Sequence, residues 1–157
     1  MPMPLPPATA VASMLGDLVG REVTAKPMAP ARSEPGTKAI ATYVGECKTI
    51  KAIAFCDVPS GASLGAALVV VPPAVVDDSV NAKRIDASLV ENLYEVFNVL
   101  SAVFPQHGAD RVLLRDLKAD GSIADDVKAF LTSPTKRLDL EISVGGYRSG
   151  RLAILAA

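Results

Sequence analysis

One segment limits the folds open to this chain more than any other: Asp86–Phe104, a long run containing neither Gly nor Pro. At about 100° per residue, Leu89, Val90, Leu93, Val96, Phe97, Leu100, Val103 and Phe104 fill one side. On the other side Glu91, Glu95, Asn98 and Ala102 fall in line at i, i+4, i+7 and i+11, flanked by Ala87, Ser88 and Ser101. The pattern predicts a long amphipathic helix closed by Pro105 and Gly108. Glu on a solvated face is ordinary, because any such helix needs a polar side and Glu is a good helix former. Asn is less expected in mid-helix, where its short amide competes with the backbone. A residue at odds with its local preference marks a candidate functional position.

The remaining segments supply a sheet and its other helices. In Ala8–Val23, Val11, Met14, Leu15, Leu18 and Val19 recur at helical spacing. Residues 1–7 read as a proline-rich, disordered tail, leaving 8–157 as one domain. Lys26–Gly36, with its prolines, reads as a loop. Thr37–Gly45, Ile50–Val58 and Leu64–Val71 read as three strands in an antiparallel meander, punctuated by Glu46–Thr49 and Pro59–Ser63. Pro72-Pro73 then opens a short helix, Ala74–Val80. Arg111–Leu117 reads as a strand, and Ser122 as the cap of a helix Ile123–Leu131. Arg137–Val144 and Arg151–Leu155 flank Gly145–Gly150 as a hairpin. In it Leu138, Leu140, Ile142 and Val144 alternate with Asp139, Glu141 and Ser143, giving one wet face and one dry face. The fold class is α+β: a largely antiparallel sheet with helices packed on one face. Arg151–Leu155, read as an apolar edge, invites strand addition and hence a homodimer.

Composition narrows the chemistry. Half of the 157 residues are hydrophobic, enough for a substantial core, while sixteen basic and seventeen acidic residues leave a formal charge of -1. That balance lacks the basic footprint of a nucleic-acid binder. The longest apolar stretches reach only about eight residues, against the roughly 20 of a spanning helix, so no membrane insertion is expected. The start has no basic n-region and its prolines exclude an apolar helix, so it is not read as a signal peptide. A cytoplasmic, reducing location follows, with Cys47 and Cys56 as free thiols at opposite ends of the strand register. With His107 they do not complete a four-ligand zinc site. No glycine-rich phosphate loop is present. A nucleophilic device would have to use His107, the only histidine, which reads instead as a solvated loop imidazole. Tyr147 and Arg148 sit at a turn tip and read as ordinary surface.

The run Leu93-Tyr94-Glu95-Val96-Phe97-Asn98-Val99-Leu100-Ser101 resembles the Glu-x-x-Asn helix of the CheC/CheX chemotaxis phosphatase family, and the order of elements over 8–157 agrees with it. Ala102 stands where that family usually has Gly, and Glu91 where it often has Ser or Asp. The first helix offers Asp17 but no Glu-x-x-Asn, which is more similar to the single-site CheX type. The resemblance implies that the substrate is an aspartyl phosphate on a response-regulator receiver domain of CheY type. It implies that Asn98 orients the attacking water and that Glu95 pairs with a receiver lysine. Glu91 and Ala102 would touch the partner, and the Mg²⁺ would be supplied by the receiver rather than bound by this chain. Two other readings stand beside it: a non-catalytic receiver-binding or scaffold module of the same fold, and an unrelated small α+β enzyme or ligand-binding protein.

Overall fold

The computed structural model describes residues 4–29, 39–104, 111–120, 122–133 and 136–157. Helix α1 (Ala8–Val19) leads into strand β1 (Val23–Pro27), and β2 (Ala39–Val44) and β3 (Ile50–Cys56) form a hairpin. Three helices follow: α2 (Val58–Leu68), α3 (Pro73–Ala82) and α4 (Ala87–Leu100), the last ending in a 3-10 turn, Ser101–Val103. β4 (Leu113–Lys118), α5 (Asp125–Thr132) and the hairpin β5 (Lys136–Val144) and β6 (Gly150–Ala156) complete the chain. The strands form one antiparallel sheet in the order β1-β5-β6-β3-β2-β4.

Side-chain alternation divides this sheet. Ala39, Ala41, Tyr43, Ala52, Ala54, Cys56, Leu140, Ile142, Leu152 and Ile154 join the buried faces of α1–α4 in the main core. Ile40 and Ile53 point the other way and meet Val127 of α5 in a smaller cluster. Four helices therefore lie on the expected face, and α5 covers part of the other. The face expected to be wet is dry beneath α5. Along β5 it carries Asp139, only 6% exposed and clasped by Arg137 at 2.7 Å.

Four sequence expectations change. Leu64–Val71 is not a strand but the end of α2 and the turn after it. An apolar run of that length cannot be told from a buried helix by periodicity alone. The deciding signals are Asp57, whose carboxylate accepts the Ser60 N–H at 3.0 Å as an N-cap, and Pro59 in the first turn. Small residues then let α2 lie close to α4: a Cβ on Gly65 would stand 2.8 Å from the Leu89 carbonyl oxygen. The first helix stops at Gly20, which adopts the left-handed conformation (φ 67°), so Val23 opens a strand absent from the sequence reading. Ser122 does not cap α5; its N–H and hydroxyl bond Asp120 at 2.9 and 2.5 Å, and the cap position falls on Ala124. Finally, Arg151–Leu155 is no edge, because β6 is hydrogen-bonded to β3 on one side and β5 on the other. Strand addition there is impossible; among the described residues the edges are β1 and β4.

The tail also differs from expectation. Pro6 is buried, Leu5 packs on the core, and the Pro7 carbonyl accepts the Ala10 and Val11 N–H groups. Residues 1–3, most of the expected loop (30–36), the first two residues of the expected strand Thr37–Gly45, and Pro105, His107 and Gly108 lie outside the described residues.

The topology contains a repeat that the sequence does not display. α1-β1-β2-β3 and α4-β4-β5-β6, the second with α5 inserted, occupy equivalent places about an axis between β3 and β6. α1 and α4 are thus counterparts.

Candidate functional site

α4 starts at Asp86, whose carboxylate accepts the Ser88 N–H at 2.9 Å and the Ser88 hydroxyl at 2.6 Å. The side-chain bond, followed by the backbone one, holds the Asp86 carboxyl below its ordinary range. Leu89, Leu93, Val96, Phe97 and Leu100 are buried against the sheet and α2, as the helical spacing requires. This burial leaves Glu91, Glu95, Asn98 and Ala102 exposed on one outward ridge. Tyr94 and Val99 accompany them, 40% and 37% exposed, a pair of apolar groups that the sequence reading did not single out. Between the ridge and edge strand β4 lies an open depression of about 510 Å³, lined by Val90, Glu91, Asn92, Tyr94, Glu95 and Leu117.

The C-terminal end of α4 is held from both sides. Ser101 directs its N–H to the carbonyls of Asn98 and Val99, and its hydroxyl to the Asn98 carbonyl at 2.6 Å. From below, the Tyr43 hydroxyl donates to the Phe97 carbonyl at 2.7 Å. Its ring packs on Phe104, centroids 4.9 Å apart. Tyr43 is fully buried, and burial, reinforced by Cys56, pushes its phenol well above the ordinary value, so it remains a donor. Tyr43 was legible in the sequence only as an alternating strand residue.

The counterpart helix cannot repeat the arrangement. Val11, Leu15 and Val19 are buried at the spacing of Leu89, Leu93 and Phe97. In that phase Asp17 corresponds to Glu95, but Asn98 corresponds to Gly20, where α1 has already ended. One ridge, not two, carries both an acid and an amide.

The other candidates have local explanations. Tyr147 is a pin rather than free surface: its hydroxyl donates to the Val71 carbonyl at 2.6 Å, with the Arg21 guanidinium over its ring. Arg148 pairs with Asp77 at 2.7 Å. Cys47 is exposed and Cys56 buried, both free thiols. Burial, followed by the charge of Asp57, pushes the Cys56 thiol up to about 12. Among the described residues no group of three or more His, Cys, Asp and Glu is placed to hold a metal ion. Among them, too, no helix is long and apolar enough to cross a membrane.

No protein-family model matches the chain, and no curated protein matches it in sequence. Solved structures do match over nearly its full length. The middle domain of FliM from H. pylori is 12% identical with a TM-score of 0.60, covering 95% of this chain and 84% of that one. CheX from Borrelia burgdorferi, solved as a complex with CheY, BeF3 and Mg²⁺, is 17% identical with a TM-score of 0.56, covering 93% and 92%. CheX from Desulfovibrio desulfuricans is 11% identical with a TM-score of 0.51, covering 95% of each. At such identities the likeness speaks for architecture, and the expectation drawn from the Glu-x-x-Asn helix and the order of elements is met at that level. The chain has the α+β fold that CheX shares with the middle domain of FliM.

Proposed function

We propose that this protein is a phosphatase acting on the aspartyl phosphate of response-regulator receiver domains. The observation that carries the reading is the joint exposure of Glu95 and Asn98 on one ridge of a helix whose opposite side buries Leu89, Leu93, Val96, Phe97 and Leu100. A ridge does not enclose a small substrate, which calls for a concave site. It suits a protein substrate that brings its own phosphoryl cleft, into which the ridge inserts.

An acyl phosphate is intrinsically labile, so catalysis reduces largely to holding water in line with the leaving oxygen. The Asn98 carboxamide donates and accepts at once, which lets it bond the phosphoryl oxygen and the attacking water together. Neither Ala nor Asp reproduces that pair. Glu95, one turn back, bonds a receiver lysine by a charge-assisted contact and fixes the register. Glu91 and Ala102 extend the same contact line, with Tyr94 and Val99 as its apolar part. Glu91 and Glu95 do not form a donor set for a resident Mg²⁺, and in this reading the ion belongs to the receiver. The proposed setting is the cytoplasm, and the complex of a CheX of this fold with CheY supports the choice of partner.

The test is loss of label from several phosphorylated receivers with and without this protein. The wild type is expected to accelerate the loss, and Asn98→Ala to remove the acceleration while melting at the wild-type temperature. Equal rates for the two proteins overturn the mechanism. A second reading, a receiver-binding scaffold without catalysis, is favoured by the likeness to FliM, which has been solved in complexes with FliG and with SpeE. Receiver binding without acceleration by the wild type selects it.

A further inference from the structure

We propose that Tyr43, buried beneath α4, is a positioning residue for Asn98: its hydroxyl captures the Phe97 carbonyl and so sets the point at which α4 gives way to the 3-10 turn. The inference rests on the phosphatase reading for its kinetic consequence, but its geometric basis is independent of it.

In a regular α-helix the Phe97 carbonyl would accept the N–H of Ser101, four residues on. Here that N–H goes to the Asn98 and Val99 carbonyls, and the Phe97 carbonyl takes its bond from Tyr43 at 2.7 Å. A buried carbonyl left without a donor is costly, so the tightening of the helix at this point depends on a donor arriving from the sheet. Tyr43 supplies it from β2, whose place is fixed by β3 and β4 on either side. The same ring packs on Phe104, just past the 3-10 turn that carries Ala102. On the solvent side the Ser101 hydroxyl clasps the Asn98 carbonyl. The peptide units on both sides of the Asn98 Cα are therefore tied, one to the sheet and one to the following turn. That fixes the height and rotation from which the carboxamide projects. Among the described residues the Asn98 side chain makes no hydrogen bond, so its aim depends on its backbone. Glu95, a turn earlier, lies in regular helix and does not depend on this clasp.

The experiment compares the wild type, Tyr43→Phe and Ser63→Ala. Tyr43→Phe removes only the hydroxyl. Ser63→Ala removes another hydroxyl-to-carbonyl bond, from the buried Ser63 to Arg148 at 2.8 Å, which ties α2 to the β5–β6 turn. Tyr43→Phe is expected to lower kcat for receiver dephosphorylation about ten- to a hundredfold, since small misplacements of a positioning group cost that much. KM for the phosphoreceiver should stay within about twofold, because Glu95 keeps its place. Ser63→Ala should leave both constants unchanged. An unchanged kcat in Tyr43→Phe, or an equal fall in Ser63→Ala, overturns the proposal.

A second readout needs no activity. The side-chain amide resonances of Asn98 should move in Tyr43→Phe and stay in place in Ser63→Ala, with Asn92 as the internal reference. If the wild type proves inactive, the phosphatase reading falls and this resonance alone decides whether Tyr43 aims Asn98. A stationary Asn98 amide overturns the proposal. Should Tyr43→Phe fail to fold, 3-fluorotyrosine at position 43, which keeps the ring and alters the strength of that hydroxyl's bond, decides it on the same resonance.

Discussion

In the proposed mechanism Glu95 and Asn98, one turn apart, do different work, and their variants should separate. Glu95 is exposed, so in the proposed complex its effect is on affinity. Glu95→Ala is expected to weaken receiver binding about tenfold, the size of one charge-assisted contact, with little change in the rate of the bound complex. Titration calorimetry against a phosphoryl-mimic-bound receiver checks it, and an unchanged affinity refutes the docking role. The two cysteines separate as well. Cys56 has its thiol raised from 9.0 to about 12 by burial. A group raised in the folded state lends stability that is complete below its ordinary value and is lost as pH climbs towards the folded one. Urea midpoints should hold steady to about pH 8.5 and fall above 9, and Cys56→Ala should flatten part of that fall. The outward placing of Glu91, Glu95, Asn98 and Ala102 was legible from spacing alone, because their helix has a continuous apolar side. Tyr43 was not legible as part of the site, since its partner is a main-chain carbonyl on an element distant in sequence.

Among the elements, α2 shows where reading by pattern fails. Val58–Leu68 is buried nearly all round, between the sheet, α3 and α4, so it has no polar side to reveal a helical period. Its end carries a local strain. The Val71 N–H bonds the Ala66 carbonyl at 2.9 Å and the Val70 N–H the Ala67 carbonyl at 3.4 Å, the pattern of a Schellman turn. The position that turn reserves for glycine holds Val70, at φ 57° and 67% exposed. A β-branched residue is costly in the left-handed region. Val70→Gly should therefore stabilise the protein by about 1 kcal/mol despite the chain entropy that glycine adds. Thermal unfolding checks it, and a lowered melting temperature would show that Val70 packs in a way its exposure conceals. The long helix, by contrast, was legible end to end except for its last turn. The change to 3-10 geometry at Ser101 depends on groups that lie outside the helix.

Across the molecule, the order of strands decides which surfaces are available. β3 and β6 lie at the centre, paired on both sides, while among the described residues β1 and β4 are each paired on one side only. Amide hydrogen exchange should accordingly show residues 152–156 opening only with global unfolding, and 113–118 exchanging through local opening at least about tenfold faster. Equal protection of the two strands would contradict this arrangement, or would show β4 covered by a second molecule. The satellite cluster under α5 is tied to β4 by Arg115, which pairs with Asp126 and holds that carboxyl below its ordinary range. The ridge of α4 and Leu117 of β4 line the same depression, so in the proposed complex a partner seated on Glu95 also meets Leu117.

Local chemistry was enough to place an amphipathic helix with Glu95 and Asn98 on its wet side, to class the chain as α+β, and to pair Arg137–Val144 with Arg151–Leu155 through a glycine turn. Those features depend on residues close in sequence, where spacing and backbone preference act directly. Tertiary structure alone decided that β6 lies inside the sheet rather than at its rim, that the chain is a structural repeat, and that Tyr43 holds the end of α4. Each of those outcomes turns on which distant surfaces cover one another. Periodicity reports how much of a segment must be buried, and it carries no record of what buries it.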